Sequence, residues 1–507
     1  MTFKEISEDS PSAIRFIPSR KDLIIAFIII SIAAYGFELF NFNLTIDEEL
    51  YAIGAMPPIN WLREGQWGMY LLQSFVLPNP IVPIVPLGLA LIFHILSILL
   101  LLDAWGVKSF WIQLLAGPLI LVYPGWAYVY VFSSLSYVVG IGLFMAASSL
   151  WVYKNIEKIS YKLLAFLPAT FAFALYQAIL PAFLIFFIAY FALSIVRKST
   201  VTILNLFHFF LITTLAGLTY YLAQQGFITI SNIQSTGYVE NHFITISDIV
   251  HLNLNLDASE EIVILYGGSD SVYTFAMFSL PLLIFVLLLA TVLKNAQQPS
   301  WWDKTLTLSL SILILIVPVL PALFMQVIKL RFLIGIPFSV ATLTIISIEN
   351  CKGQVLRWLI SVLSALTILQ FIISINQLFG APHHISLQSD RILAGRIMER
   401  IEMARSQSPK PDEVKYIEVI GSFQKTPTLI NPNPYRYEII GKSFFEFNGG
   451  VSRRIVAFLN TLDYAELSPL PIDRRADFIL ISERMPAWPR MGNIQVVNDT
   501  VLLKFGS

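Results

Sequence analysis

The chain has 507 residues, of which 56% are hydrophobic and only 13% charged, with a mean hydropathy of +0.70. Soluble domains carry about 25% charged residues, so an ordinary soluble enzyme is excluded. Basic and acidic residues balance at 33 each, and zero net charge gives a nucleic-acid partner no electrostatic support. The single cysteine, Cys351, rules out an internal disulfide framework or a cysteine-rich metal site.

Residues 1–22 are polar, with Arg15, Arg20 and Lys21 just ahead of the first apolar run. That run lacks an A-x-A cleavage site and is long enough to span, so it reads as an uncleaved signal anchor. A spanning helix needs about 20 predominantly apolar residues. Candidate spans lie near 22–42, 80–103, 110–131, 134–153, 163–177, 178–196, 203–223, 272–293, 305–327, 331–349 and 357–377. The stretch from Leu163 to Val196 is too long for one span and short for two. A tight helical hairpin turning near Tyr176-Gln177, ahead of Pro181, accounts for it.

With the N-terminus in the cytoplasm, the cytoplasmic segments collect fourteen Lys and Arg residues from Lys4 to Arg357. The external segments between spans collect only Arg63, Lys329 and Arg331. This asymmetry obeys the positive-inside rule, and an odd number of spans then places the C-terminus outside. Beyond about residue 380 charge returns to ordinary levels. There the spacing predicts a helix over Ser389–Met403, a strand at Tyr416–Ile420 ending at Gly421, and a helix over Val451–Leu462. Phe478-Ile-Leu-Ile-Ser reads as a buried strand, and Ile494–Val497 and Val501–Lys504 as a hairpin turning at Asn498-Asp499. The expected fold is a polytopic α-helical membrane protein of about eleven transmembrane helices with a small C-terminal α/β extracytoplasmic domain. Its divisions are a cytoplasmic N-terminus (1–21), a transmembrane domain (22–378) with a first external loop (43–79), and a soluble domain (379–507).

The chemistry-bearing segment is that first loop, Thr45-Ile-Asp-Glu-Glu-Leu-Tyr51 followed by Asn60-Trp-Leu-Arg-Glu-Gly-Gln-Trp-Gly68. Asp47, Glu48 and Glu49 stand about one turn past the first span. Carboxylates held at a membrane surface lose solvation and can act as a general base, or bind a sugar hydroxyl or a cation. The plainer reading is a solvated acidic loop, with Trp61, Trp67 and Tyr70 as interfacial aromatics. Glu38 lies within the first span, where a carboxylate is a functional candidate by default, facing the same cavity as Asp47. His94 and His208 read as packing or hydrogen-bonded residues, and His383-His384 has no partner at metal-ligand spacing. Asp103 and Asp303 beside Trp105 and Trp302 read as interface anchors. The turn Tyr123-Pro-Gly-Trp126 with Ser133-Ser134 is a weak candidate for part of a sugar pocket.

An external acidic cluster after the first span is shared with the GT-C glycosyltransferases, which use lipid-phosphate sugar donors. More narrowly, Ile46-Asp47-Glu48-Glu49 with Arg63-Glu64-Gly65-Gln66-Trp67-Gly68 resembles the O-antigen glucosyltransferase II family. Tyr176-Gln177, Asp390-Arg391 and the terminal Met485-Pro-Ala-Trp-Pro and Ile494-Gln-Val-Val agree with it. The resemblance implies transfer of a hexose, usually glucose, from undecaprenyl phosphate to a hydroxyl of an O-antigen, lipopolysaccharide or similar lipid-linked glycan, on the periplasmic face of a bacterial inner membrane.

Such a reaction needs a base for the acceptor hydroxyl, for which Asp47 is the first candidate, with Glu48 or Glu49 orienting it. The departing lipid phosphate needs fixed positive charge, and Arg331, Lys329 and Arg63 are the external candidates. Arg331 is preferred because a guanidinium grips phosphate with two parallel hydrogen bonds; its plainer reading is a snorkelling interfacial cation. Trp67, Tyr176, Gln177 and Glu38 are the candidates for sugar or acceptor binding. The polyprenyl tail needs an apolar groove, for which the proline-broken segments at Pro318, Pro321 and Pro337 are candidates. The acids are also of a type that binds magnesium or manganese, although the resemblance requires no divalent cation. The competing readings are a flippase or transporter of lipid-linked glycans, and a GT-C enzyme with another sugar donor.

Overall fold

The computed structural model describes residues 20–78, 81–197, 202–234, 236, 279–296, 301–323, 330–351, 353–423, 439–446, 451–464 and 467–506. Lys329 and most of the long loop after residue 234 lie outside the described residues. The first half runs from α1 (Arg20–Phe40) through three short helices, α2 (Glu48–Ala52), α3 (Ile59–Arg63) and α4 (Trp67–Phe75). It continues with α5 (Val85–Ala104), α6 (Phe110–Leu121), α7 (Ala127–Tyr130), α8 (Ser133–Asn155), α9 (Ile159–Lys162), α10 (Phe166–Leu175), α11 (Leu180–Val196) and α12 (Ile203–Ser231). Then follow α13 (Ser279–Ala296), α14 (Trp301–Ile316), α15 (Leu320–Leu323), α16 (Ile336–Asn350) and α17 (Gln354–Leu378).

The long helices among them are apolar around most of their circumference, as a bilayer solvent demands. α1 turns Leu23, Phe27, Ala34 and Tyr35 inward yet leaves Ile25, Ile29 and Ile32 more than half exposed. In water such a stripe would drive association, whereas hydrocarbon solvates it and the helix satisfies its own backbone groups. Among the described residues seven helices are long and apolar enough to cross a membrane, and the chain is a membrane protein. Four further apolar helices, Leu163–Leu175, Leu280–Leu293, Thr305–Val319 and Ile336–Asn350, are shorter. The run from Leu163 to Val196 breaks where expected: Tyr176 is extended, a 3-10 turn covers Gln177–Ile179, and Pro181 sits in the first turn of α11. Beyond that break the two arms take different neighbours. α10 packs on α8 and α12, and α11 on α14 and α16; α5 pairs with α8, and α17 with α1 and α13.

Trp105, beside Asp103, is 1% exposed and its indole donates to the Phe186 carbonyl at 3.0 Å, so it packs in the helical core.

After α17 the chain passes through a π turn at Phe379–His384 into α18 (Ile385–Ser406) and a four-stranded sheet. The strands β1 (Tyr416–Ile420), β2 (Ser468–Pro469), β3 (Ile494–Val497) and β4 (Thr500–Lys504) lie in the order β2-β1-β4-β3. β1 pairs parallel with β2 and β4, while β3 and β4 form the expected antiparallel hairpin, turning through Asn498 at a φ of 55°. Alternation along β1 and β4 splits the core in two. Ile417, Val419, Val501 and Leu503 face α18 and α19 (Ser452–Thr461), whereas Leu502 packs with Phe478 of α20 (Arg475–Glu483).

The strand expected at Phe478–Ser482 is therefore a helix. Phe478 and Ser482, four apart, are buried, while Ile479, Leu480 and Ile481 are 44%, 68% and 37% exposed. The burial period is helical, and an uninterrupted apolar run concealed it.

Candidate active site

At the exit of α1 the chain turns sharply at Asp47, whose φ of 84° places a Cβ-bearing residue in the left-handed region. Aspartate tolerates this conformation better than most residues. Asp47 stands at the N-cap position of α2 but makes no side-chain cap. Its carboxylate instead accepts a hydrogen bond from Arg454 and lines a cavity of about 650 Å³.

The remaining lining joins five parts of the chain. Tyr51, Trp61, Glu64 and Gln66 come from the first loop, and Ser134 from the start of α8. Tyr176 and Gln177 come from the break before α11, Arg331 and Phe332 from the turn before α16, and Leu184, Val317, Leu320 and Pro321 supply an apolar wall. The proline-broken segment after α14 thus borders the cavity, with a 3-10 turn at Val317–Val319. The Arg331 guanidinium lies 5.4 Å from the Phe132 ring centroid and 5.9 Å from that of Phe332, favourable for cation–π attraction. Tyr176 stacks on Phe332 and donates to the Arg331 carbonyl at 3.5 Å. Tyr51 stacks on Trp61 with centroids 5.9 Å apart, and Trp61 donates to Gln73. Burial, with Glu64 and Asp47 nearby, pushes the Tyr51 phenol well above its ordinary pKa, so it stays neutral.

The glycine-bearing motif holds the loop in place. Gly65 ends α3 with a φ of 84°, and its carbonyl accepts from Gln177 at 3.0 Å and from the Tyr220 hydroxyl at 2.8 Å. Gln224 donates to the Leu62 carbonyl at 2.6 Å. Gly68 lies so close to α10 that a Cβ would stand 2.9 Å from the backbone of Ala174 and Leu175. Gly68→Val is expected to cost about 1–3 kcal/mol through overpacking, read as a lower Tm in detergent; an unchanged Tm contradicts this packing. Trp67 lies outside the cavity lining: its indole donates to the Tyr220 carbonyl at 3.3 Å and stacks on Phe227. Arg63 is also outside the lining, and its carbonyl accepts from the Thr236 amide at 3.0 Å.

Glu48 and Glu49 turn away from this space and are fully buried. Glu48 accepts from the Thr45 amide at 3.1 Å and the Ser134 amide at 3.2 Å, capping the N-terminus of α8. Glu49 pairs with Arg454 at 3.0 Å. Burial raises Glu48 from its ordinary 4.5 to about 8, against the pull of backbone amides, and Glu49 to about 7, against the pull of Arg454. The folded chain therefore holds these protons more tightly than the unfolded chain does. Stability from this source is greatest below about pH 4.5 and falls as pH rises to about 8. The expected result is a drop in Tm between about pH 5 and pH 8.5 that is smaller in Glu48→Gln than in the wild type. Equal drops in the two proteins contradict it.

Glu38 belongs to a separate buried cluster instead of lining the cavity. It accepts from Asn43 at 3.0 Å and lies 3.9 Å from His383, while His384 meets Asn43 at 2.9 Å. Tyr123–Trp126 is buried in the helical core, and His94 contacts the Tyr130 hydroxyl at 2.7 Å. Asp390 is a packing carboxylate, accepting from Ser443 at 2.7 Å and the Phe444 amide at 2.8 Å. Among the described residues no group of three or more His, Cys, Asp or Glu side chains is gathered to hold a metal.

Of the residues singled out from sequence, Asp47, Arg331, Tyr176 and Gln177 meet around one cavity. Arg454 escaped notice. Its only signal was the Arg453-Arg454 pair opening an amphipathic helix, read against an acidic loop that needed a counter-charge. Trp61, which stacks on Tyr51 in the lining, was visible in the loop but read as an interfacial aromatic.

A family model described as Glucosyl transferase GtrII matches residues 36–348, from the end of α1 through most of α16. No curated protein and no solved structure gives a match.

Proposed function

The chain belongs to the GtrII glucosyl transferase family and is a glycosyltransferase, and from this premise we propose that it transfers glucose from undecaprenyl phosphate to a hydroxyl of an O-antigen or similar surface glycan. The reading places some eleven spans across a bacterial inner membrane, with the N-terminus cytoplasmic and the cavity and residues 379–507 on the periplasmic face. It rests above all on one observation: a single cavity is bordered by Asp47, by Arg331 and by an apolar wall. A polyprenyl-phosphate sugar asks for those three surfaces together.

In this reaction Asp47 takes the proton of the acceptor hydroxyl as its oxygen attacks the anomeric carbon. The bond from that carbon to the phosphate oxygen breaks on the opposite side, so the configuration inverts. Polyprenyl phosphate leaves with the bonding electrons, and Arg331 stabilises the charge it gains. Glu48 and Glu49 hold the loop, and Tyr51, Trp61, Tyr176 and Gln177 border the space for the sugars. Leu184, Val317, Leu320 and Pro321 offer the lipid its apolar surface.

The purified protein is expected to transfer glucose from undecaprenyl-phosphate glucose, and not from a nucleotide sugar, onto a lipid-linked glycan acceptor. Transfer from the nucleotide sugar alone contradicts the proposed donor class. A reporter fused after Ser507 is expected to be active only outside the cytoplasm.

A further inference from the structure

We propose that Arg454, carried by the C-terminal domain, is a positioning residue that holds the Asp47 carboxylate against the cavity by gripping Asp47 and Glu49 together. The proposal rests on the reading of Asp47 as the base. Arg454 itself lies more than one hundred residues beyond the end of the segment matched to the family, at 348.

The Asp47 side chain is not held by the helix it opens. Its residue is left-handed at φ 84°, and it makes no capping hydrogen bond to α2. The fork of Arg454 supplies the constraint: Nη2 donates to Asp47 Oδ1, and Nη1 donates to Glu49 Oε1 at 3.0 Å. One planar group thus sets the separation of two carboxylates that would otherwise repel.

The guanidinium is itself held on a rigid support. α19 packs on α2, and its Ile455, Val456, Phe458 and Leu459 are buried in the core of the C-terminal domain. At its start Ser452 bonds both backbone groups of Val419 in β1, at 3.0 Å and 3.2 Å. The burial of Glu49 makes the grip consequential. Glu49 is fully buried, and among the described residues its second oxygen, Oε2, has no hydrogen-bond partner, so Arg454 is the main group that balances it, helped by nearby backbone amides. Among the described residues, the titratable groups near Asp47, Glu49 and Tyr51 include Glu48 on α2, Glu64 on the next turn of the loop, Tyr137 on α8 and Arg454 from α19, and Arg331 lines the same cavity as Asp47. Of these, Arg454 is the cation in ion-pair contact with both Asp47 and Glu49. Removing the guanidinium takes away the cation that pairs with Asp47 and Glu49 together and leaves the two carboxyl groups unbridged.

The test compares purified full-length wild type with Arg454→Gln, Arg454→Lys and Asp47→Asn, measuring kcat, donor KM and the pH dependence of kcat. Gln keeps hydrogen bonding without charge; Lys keeps charge without the fork. For Arg454→Gln the expected result is a kcat lowered about 10- to 100-fold. Donor KM stays within about twofold, and the acid limb of the profile moves up by about one pH unit. Arg454→Lys returns the acid limb toward the wild type but only part of kcat, because an ammonium is a point charge without the bidentate fork. Wild-type kcat in either Arg454 variant, with Asp47→Asn inactive, overturns the inference and leaves the base assignment standing. Equal loss of kcat in both Arg454 variants with an unmoved acid limb also overturns it, since that is the mark of a purely structural residue. Full transfer by Asp47→Asn overturns the base assignment, and this inference with it.

Discussion

Asp47→Asn is expected to lower transfer about 10²- to 10⁴-fold, the range associated with loss of a general base. The substitution is nearly isosteric, so the cavity keeps its shape while the proton acceptor is removed. Arg454 retains Glu49 as a partner at 3.0 Å, so the contact between α19 and the first loop persists. Donor KM should change little, because the apolar wall formed by Leu184, Val317, Leu320 and Pro321 is untouched. The loss therefore belongs in kcat, as for an interaction made in the transition state. A rise in donor KM with kcat intact would place Asp47 in substrate binding instead.

Arg331→Ala is expected to lower kcat about 10²- to 10³-fold, the scale for removing a preorganised group that stabilises developing charge. On the proposed mechanism the leaving phosphate gains charge as the bond to the sugar breaks, next to apolar side chains where a cation acts more strongly than in water. Phe132 and Phe332, at 5.4 Å and 5.9 Å, hold the guanidinium in place, so Arg331→Lys should restore only part of the rate. The check is single-turnover transfer at saturating donor. Equal rates for Arg331→Ala and wild type would assign this arginine to packing beneath the aromatic pair.

The helical part of the molecule was legible because lipid imposes a simple rule on sequence. Runs such as Val85–Ala104 and Gln354–Leu378 declare themselves by length and apolarity alone. The break at Tyr176 was announced by Pro181, and the hairpin at Asn498-Asp499 by alternation on either side of a turn pair. Phe478–Ser482 was misread because a short apolar run carries no period of its own; only burial of Phe478 and Ser482 against the sheet reveals the helix.

The site was half legible for a different reason. Asp47, Arg331, Tyr176 and Gln177 stood out as charged or polar residues at the ends of apolar runs, where chemistry at a membrane surface has to sit. Their partners did not stand out. Asp47 and Arg454 are 407 positions apart, and the acid cap on α8 pairs Glu48 with an amide 86 positions away. Contacts of that range leave no local pattern. Glu38 illustrates the same limit. A carboxylate within a span suggested a group facing the same cavity as Asp47, yet it is engaged by Asn43 and lies near His383, which directly follows the last membrane helix, α17.

On the proposed function, the cavity bordered by Asp47 and Arg331 is where the lipid-linked sugar reacts. Cys351 is the chain's single cysteine, so a Cys351→Ser background permits one new thiol to be placed in the apolar wall at Leu320. The decisive measurement is transfer from undecaprenyl-phosphate glucose before and after that thiol is labelled with a bulky maleimide. The expected result is that labelling abolishes transfer and that donor added beforehand protects both the thiol and the activity. Fully labelled protein that transfers at the unlabelled rate would contradict the placement of the reaction in this cavity.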